Sequence, residues 1–341
     1  MAVAHAFSPK EFQVFIISDA TNAGSSGIHA ANMHQLDVDS VGFPSLNVTQ
    51  VLDVRSGVGR TLKDEDFFQD NVLRVTELSL SGTLHNDTGH NLLVKNICNQ
   101  EASGDVSLAS GHTGSQQQYG AAVENAVSSL TVVIRPSDHT NQRSLEMAGM
   151  IVTNFSISAD AATEGGRYKF SATLQSGVKP DLNESAEDSG EPTAGANLYS
   201  NTTMCLLSSS SGHKINNTSV VMNSFTTTVD HPAVFSGVSS NGYQTVGRGA
   251  ECAVTHDCQI KYDGNTKGFV HDFDTQTGTT LASAISTGNC FLITNNTKYG
   301  VQSQSAALTN VAYAEGDIMM LDVSLKAVDD GSNALCIFDV A

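Results

Sequence analysis

The chain has 341 residues, with 17 Lys and Arg against 35 Asp and Glu, for a formal net charge of −18. That balance argues against a protein that wraps nucleic acid, because such binding comes largely from Lys and Arg neutralising phosphates. Charged residues are only 15% of the chain, against about 25% in ordinary globular proteins, so Ser, Thr, Asn and Gly make up much of the surface.

Taken from the start, MAVAHAFSPKEF has no basic stretch followed by an apolar core, and no secretory signal is expected there. No run approaches the ~18 apolar residues of a membrane helix. Residues 1–31 read as an N-terminal arm. Within it Phe12, Val14, Phe15, Ile16 and Ile17 make either a first strand or a reach toward a neighbouring subunit. Asp64 to Asp70, acidic at its start, predicts a short helix. Val75 to Leu84 alternates apolar and polar residues at Leu78, Leu80 and Leu84, the pattern of a half-buried strand. The Gly/Ser/Gln-rich stretch from Ala102 to Gln118 reads as a long loop, and Gln118 to Ser129 as a second helix.

Leu130 to Ile134 is a short β-branched run. Ile151 to Ile157 and Tyr168 to Leu174 alternate cleanly, the latter through Tyr168, Phe170, Ala172 and Leu174. Ser176 to Ala196 is acidic, holds both Pro and Gly, and has no periodicity, so it reads as a loop or linker. Further strands are expected at Phe291 to Ile293, Ile318 to Leu325 and Leu335 to Phe338.

Parts of the pattern recur. Val54-Arg55-Ser56-Gly57-Val58 is echoed by Val234-Phe235-Ser236-Gly237-Val238, an offset of 234 − 54 = 180. Leu78 to Asp87 is echoed by Val254 to Asp263, a strand running into an Asp-led turn, at 254 − 78 = 176. Gly165 to Leu174 is echoed by Gly316 to Leu325, at 316 − 165 = 151. The shrinking offset places extra residues in the first copy, with Ala102 to Gln118 the natural place for part of them. The expected organisation is an arm at 1–31, a first module at 32–180, a linker at 181–214 and a second module at 215–341.

Chemistry-bearing patterns are sparse. His85-Asn86-Asp87-Thr88-Gly89-His90 holds three possible metal ligands, although an Asp-led turn is its plainer reading. His271-Asp272-Phe273-Asp274 reads as a solvated strand end, and Cys252 and Cys258 lack the short paired spacing of zinc sites. The six cysteines are expected as free, buried thiols. There is no G-x-S-x-G elbow, phosphate loop, H-E-x-x-H or dinucleotide fingerprint. No catalytic residue, metal ligand or cofactor is therefore nominated, and the chain is expected not to be an enzyme.

The segment Asn154-Phe155-Ser156-Ile157-Ser158-Ala159-Asp160, continuing through Gly165-Gly166-Arg167-Tyr168-Lys169-Phe170, resembles tail tube proteins of tailed bacteriophages. So does Phe225-Thr226-Thr227-Thr228-Val229-Asp230-His231-Pro232-Ala233-Val234-Phe235-Ser236-Gly237-Val238, and the likeness runs from about Gln35 to the end. The resemblance is one of pattern, turn placement and composition. It implies a mainly β chain of two tandem antiparallel β-sandwich or barrel modules, each with a short flanking helix. It further implies polymerisation into stacked rings around a DNA-conducting channel, in the virion tail, after assembly in the host cytoplasm. Two modules per chain would make each ring a trimer with pseudo-sixfold symmetry. Implied partners are copies of itself, tail terminator, baseplate or tip proteins, and tape-measure protein and DNA held in the lumen without specific binding, with no membrane. Glu77, Asp160, Asp257, Asp317 and Asp322 are the expected lumen-facing acids by strand position. The competing expectations are a capsid decoration or baseplate protein and a β-sandwich adhesin for glycans or a receptor.

Overall fold

A computed structural model describes residues 9–18, 33–44, 49–52, 67–70, 75–98, 100–101, 115–119, 129–136, 144–182, 200–207, 212–237, 242–243, 245–249, 252–270, 290–294, 299–329 and 335–340. Strands dominate, as the alternation requires. The first are β1 (Phe12–Ser18), β2 (His34–Leu36), β3 (Val38–Gly42), β4 (Thr49–Leu52), β5 (Phe67–Asp70) and β6 (Thr76–Thr83). Helix α1 (Thr88–Ile97) follows, then β7 (Gln100–Glu101), β8 (Ser115–Tyr119), β9 (Leu130–Pro136), β10 (Leu145–Asp160), β11 (Lys169–Ser176) and β12 (Asp181–Leu182). The later chain forms β13 (Lys214–Ile215), β14 (Thr218–Ser219), β15 (Met222–Asp230), β16 (Ala233–Ser236), β17 (Thr245–Arg248) and β18 (Ala253–Lys261). It ends with β19 (Phe291–Thr294), β20 (Tyr299–Ser303), β21 (Ala306–Ala314), β22 (Met320–Ala327) and β23 (Cys336–Val340).

Eight strands make one antiparallel sheet in the order β3-β6-β11-β10-β15-β18-β22-β21. The inner face carries the alternating apolar set read from the sequence: Leu78, Leu80, Phe155, Ile157, Phe170, Ala172 and Leu174 are all buried. β10 is long enough to serve two sheets. Its first residues pair with β9 and β12, extending through β1 to β2, while its later residues pair with β11 and β15. A second sheet, β14-β13-β19-β20-β23-β8-β7, packs on the first. Phe155 meets Phe338 edge-on at 6.4 Å and His256 stacks on Phe291 at 4.0 Å across that interface. The buried side chains of both sheets join in one continuous cluster running from Val14 to Phe338. The architecture is a two-layer sandwich, the expected way for amphipathic sheets to hide their apolar faces. Among the described residues no sheet closes into a barrel, so the sandwich is the form that applies.

Five local expectations need correction. The segment expected as a helix at 64–70 has Phe67–Asp70 as strand β5, paired with β4, and the rest of it lies outside the described residues. Gln118 and Tyr119, expected to open a helix, lie in β8 against β23; residues 120–128 fall outside the described residues. Helix α1 forms where a turn is expected. Asp87 caps it, accepting from His90 N at 2.9 Å, and Leu93, Val94 and Ile97 turn one face into the core. The N-terminal segment proves to be a strand: β1 sits between β2 and β9. Loop and linker were expected at 102–118 and 176–196, but Ser115–Tyr119 and Asp181–Leu182 are strands; residues 102–114 and 183–196 lie outside the described residues.

The pairing pattern occurs twice along the chain, residue for residue. Ile16 pairs with His34 and with Val132, and Ile215 pairs with Thr218 and with Phe291. Leu145 pairs with Ile134 and with Leu182, and Val301 pairs with Ile293 and with Phe338. The hairpin Thr49↔Asp70 recurs as Ala233↔Arg248. Thr83↔Lys169 recurs as Lys261↔Met320. Even the irregularities return. β3 and β6 shift register between Val38↔Gly82 and Ser40↔Ser81, and β15 and β18 do so between Met222↔Ile260 and Ser224↔Gln259. β10 and β11 shift between Val152↔Leu174 and Asn154↔Thr173, and β21 and β22 between Leu308↔Leu325 and Asn310↔Ser324. Bulges cost ladder hydrogen bonds and persist only where a fold uses them. In these ladders Leu174 corresponds to Leu325, the expected offset of 151, whereas Leu78 corresponds to His256, an offset of 256 − 78 = 178 and not 176. The difference of two residues leaves each side chain on its own face.

Candidate functional surface

The residue groups with chemical potential are packed inside. His85 and His90, from the sequence HNDTGH, flank the cap of α1 with ring centroids 5.2 Å apart. His90 Nδ1 donates to Asp87 Oδ1 at 2.8 Å, and its Nε2 accepts from the backbone N–H of Asp37 at 3.2 Å, so both ring nitrogens are committed. His85 Nε2 donates to Asp37 Oδ2 at 2.9 Å, while its Nδ1 faces Ser200 O at 3.0 Å. Burial raises the Asp87 pKa, but the side-chain and backbone hydrogen bonds from His90 outweigh it and hold the carboxyl below its ordinary value. These contacts tie β2, β3, α1 and the 200–205 segment together. Among the described residues no three His, Cys, Asp or Glu side chains are placed to hold a metal ion.

A second contact has the parts of a nucleophile and its base: His256 Nε2 lies 2.8 Å from Ser303 Oγ. The hydroxyl of Ser303, however, donates to Leu335 O at 2.5 Å, so His256 must donate to it. Nδ1 of the same ring then accepts from Thr227 Oγ1 at 2.9 Å. Both residues are fully buried, which denies a substrate access. Burial also pushes the Cys98, Cys258 and Cys336 thiols up, away from the reactive thiolate. His271 and Asp272 lie outside the described residues.

The exposed feature with a definite composition is the outer face of the eight-stranded sheet. Side chains alternate across a strand, so the residues opposite the core set point outward together. They form rows of hydroxyls: Ser171, Ser156 and Thr228 in one, Ser158 and Thr226 in the next. Four of the five acids expected at a lumen wall, Glu77, Asp160, Asp257 and Asp322, stand on this face of β6, β10, β18 and β22. Asp317 does not; it lies beyond the end of β21, in the connection to β22. Glu77 accepts from Gln175 at 3.0 Å, and Asp322 accepts from Gln259 at 3.0 Å, which itself accepts from Asn223 at 2.7 Å. Such side-chain ladders fix the acids without neutralising them.

Sequence reasoning missed three features of this face. Asp230 joins the acids on β15, accepting from Asn154 at 3.4 Å. Lys169, Lys261 and Lys326 share the face, and strand parity alone could have found them. Lys169 bridges Asp39 and Glu164 at 2.9 Å each, and these carboxylates outweigh burial to raise its pKa. The third is the pair of sheet edges. β3 and β21 each pair on one side only among the described residues, and Phe43, Tyr313, Ile318 and Met319 stand exposed beside them. No family model and no curated protein matches this chain. Among the described residues no helix is long and apolar enough to cross a membrane.

Proposed function

We propose that this chain is a structural subunit of a bacteriophage tail tube, two modules in tandem that assemble with copies of themselves into stacked rings around a DNA-conducting channel. The observation that carries the reading is the eight-stranded sheet, in which one four-strand arrangement occurs twice and the outer strands β3 and β21 each pair on one side only among the described residues. Edge strands of that kind template pairing with another chain. The modules are the expected 32–180 and 215–341, the first joined by β1 from the segment expected as an arm, because β1 serves it as β13 serves the second. Three chains per ring would give six modules.

The outer face of the sheet suits a channel wall. Holding DNA takes many Lys or Arg contacts to phosphate, and holding single strands takes aromatic platforms. The rows on this face offer small hydroxyls, five acids and three lysines, with no aromatic ring among them. Negative-stain imaging of the purified chain should show hollow cylinders, and a reconstruction should place Glu77, Asp160, Asp257 and Asp322 at the lumen. Compact particles without tubes would overturn the reading, and a neutral or basic channel wall would overturn the placement of the acids.

A further inference from the structure

We infer that the copies join head to tail: the outer edge of β21 pairs antiparallel with the outer edge of β3 in the next copy, in the register by which β10 already pairs with β15. The inference rests on the proposal that the chain assembles with itself; the choice of edges and register comes from the repeated ladders alone.

The sheet order β3-β6-β11-β10 is followed directly by β15-β18-β22-β21. Through the shared bulges, β15 is the counterpart of β3, and β21 the counterpart of the later part of β10. The β10–β15 contact is therefore a joint between the trailing edge of one unit and the leading edge of the next, inside one chain. Among the described residues no further strand pairs with the same trailing edge, on β21, or with the same leading edge, on β3. Repeating the step that carries the first unit onto the second brings the β3 of another copy onto β21.

The register transfers residue by residue. Asp160↔Ser224, Ser158↔Thr226 and Ile157↔Thr227 in the internal joint correspond to Gly316↔Ser40, Ala314↔Gly42 and Tyr313↔Phe43 between copies. Ile157 and Thr227 are 0% and 1% exposed within the joint, whereas their counterparts Tyr313 and Phe43 are 53% and 44% exposed. Two large apolar side chains thus wait in solvent at the position that the internal joint buries. Each is already braced, Tyr313 edge-on to Tyr262 at 5.6 Å and Phe43 edge-on to Phe12 at 5.2 Å. Neighbouring positions Ala314 and Gly42 are small, which lets the backbones approach.

Soluble proteins guard their edges with lysines or inward charges. β21, AALTNVAYA, carries no charged residue, and the one charge on β3, Asp39, is tied to Lys169. A contact between unlike edges is heterologous, so it generates rings or filaments; pairing like edges would stop at a dimer.

Disulfide trapping tests the pairing. Residues opposite each other in an antiparallel ladder lie about 4.5–5.5 Å apart at Cα, within the range a disulfide spans. Chains carrying Phe43→Cys, mixed with chains carrying Tyr313→Cys and oxidised, should give a covalent dimer absent from either variant alone. The wild type serves as the control, since five of its six cysteines are buried and Cys252 is half-buried. As a second arm, Tyr313→Lys should abolish assembly, and Phe43→Glu in the same chain should restore it. Crosslinking by a single variant alone, no crosslink in a mixture that light scattering shows to be assembled, or a chain that stays monomeric at every concentration would each overturn the inference. Tubes without the crosslink would sink the pairing and leave the tail tube reading standing, while crosslinked rings that never stack into tubes would do the reverse.

Discussion

His256 lies wholly inside the sandwich, with Thr227 and Ser303 on its two nitrogens and Phe291 against its ring, and burial pushes its pKa down to about 3. His231 is pushed down to about 4 by burial and then by the Arg248 guanidinium. Both are held neutral in the folded chain, while in the unfolded chain they take up a proton near pH 6.5. The unfolded state thus binds the proton first. The stabilisation is complete above pH 6.5 and is lost as pH falls from there toward 4 and then 3. The loss should approach about 1.4 kcal/mol per histidine for each pH unit in that window. Urea denaturation at pH 7 and pH 4.5 should show it, with His256→Leu flattening the dependence; parallel pH dependences for variant and wild type would refute the assignment. Leu78 stands at the corresponding position of the first unit, so leucine fits that place in the ladder.

At the scale of elements, α1 shows how a short helix is fixed by its cap and its packing. Ten residues are too few for a helix to stand alone in water. Asp87 satisfies the His90 N–H and also orients the His90 ring, whose edge meets Phe170 at 5.5 Å. Asp87→Ala should cost about 1–2 kcal/mol, and Asp87→Asn, which keeps a cap oxygen, should recover most of it in the same denaturant titration. An unchanged midpoint for Asp87→Ala would show that packing alone holds the helix. The Asp-led turn at Asp263 repeats the start of this arrangement, with Lys267 N donating to Asp263 O as Asn91 N donates to Asp87 O.

For the molecule as a whole, the two units are alike in pairing but share one core. Arg248 of the later unit is buried and donates to Val152 O and to Asn96 O of the earlier one, the second at 2.7 Å. β8 of the earlier unit pairs with β23 of the later one. Calorimetry should accordingly record one cooperative unfolding transition. Two separated transitions would mean that the units stabilise themselves independently despite the shared cluster.

The strands were legible because alternation is local. Leu78, Leu80, Phe170, Ala172 and Leu174 announce a buried face from a few neighbouring residues, and all are buried. The acids of the outer face were legible for the same reason, since opposite parity puts Glu77 and Asp322 away from the core. Local signals misled where tertiary pairing outweighed them. The acidic start at Asp64 suggested a helix, yet Phe67–Asp70 pairs with β4, and Thr88-Gly89 suggested a turn, yet the Asp87 cap and the apolar surface beneath it make a helix. The sequence by itself determined the β class, most of the strands and the offset of 151 between the units; Val54 to Val58, on which the offset of 180 rests, lie outside the described residues. Only the tertiary structure decided strand order, the length of β10, the paired bulges and which edges stay open. Those depend on contacts such as Val14 with Ile134 and Asp160 with Ser224, between residues far apart along the chain, and no local pattern encodes such a partner.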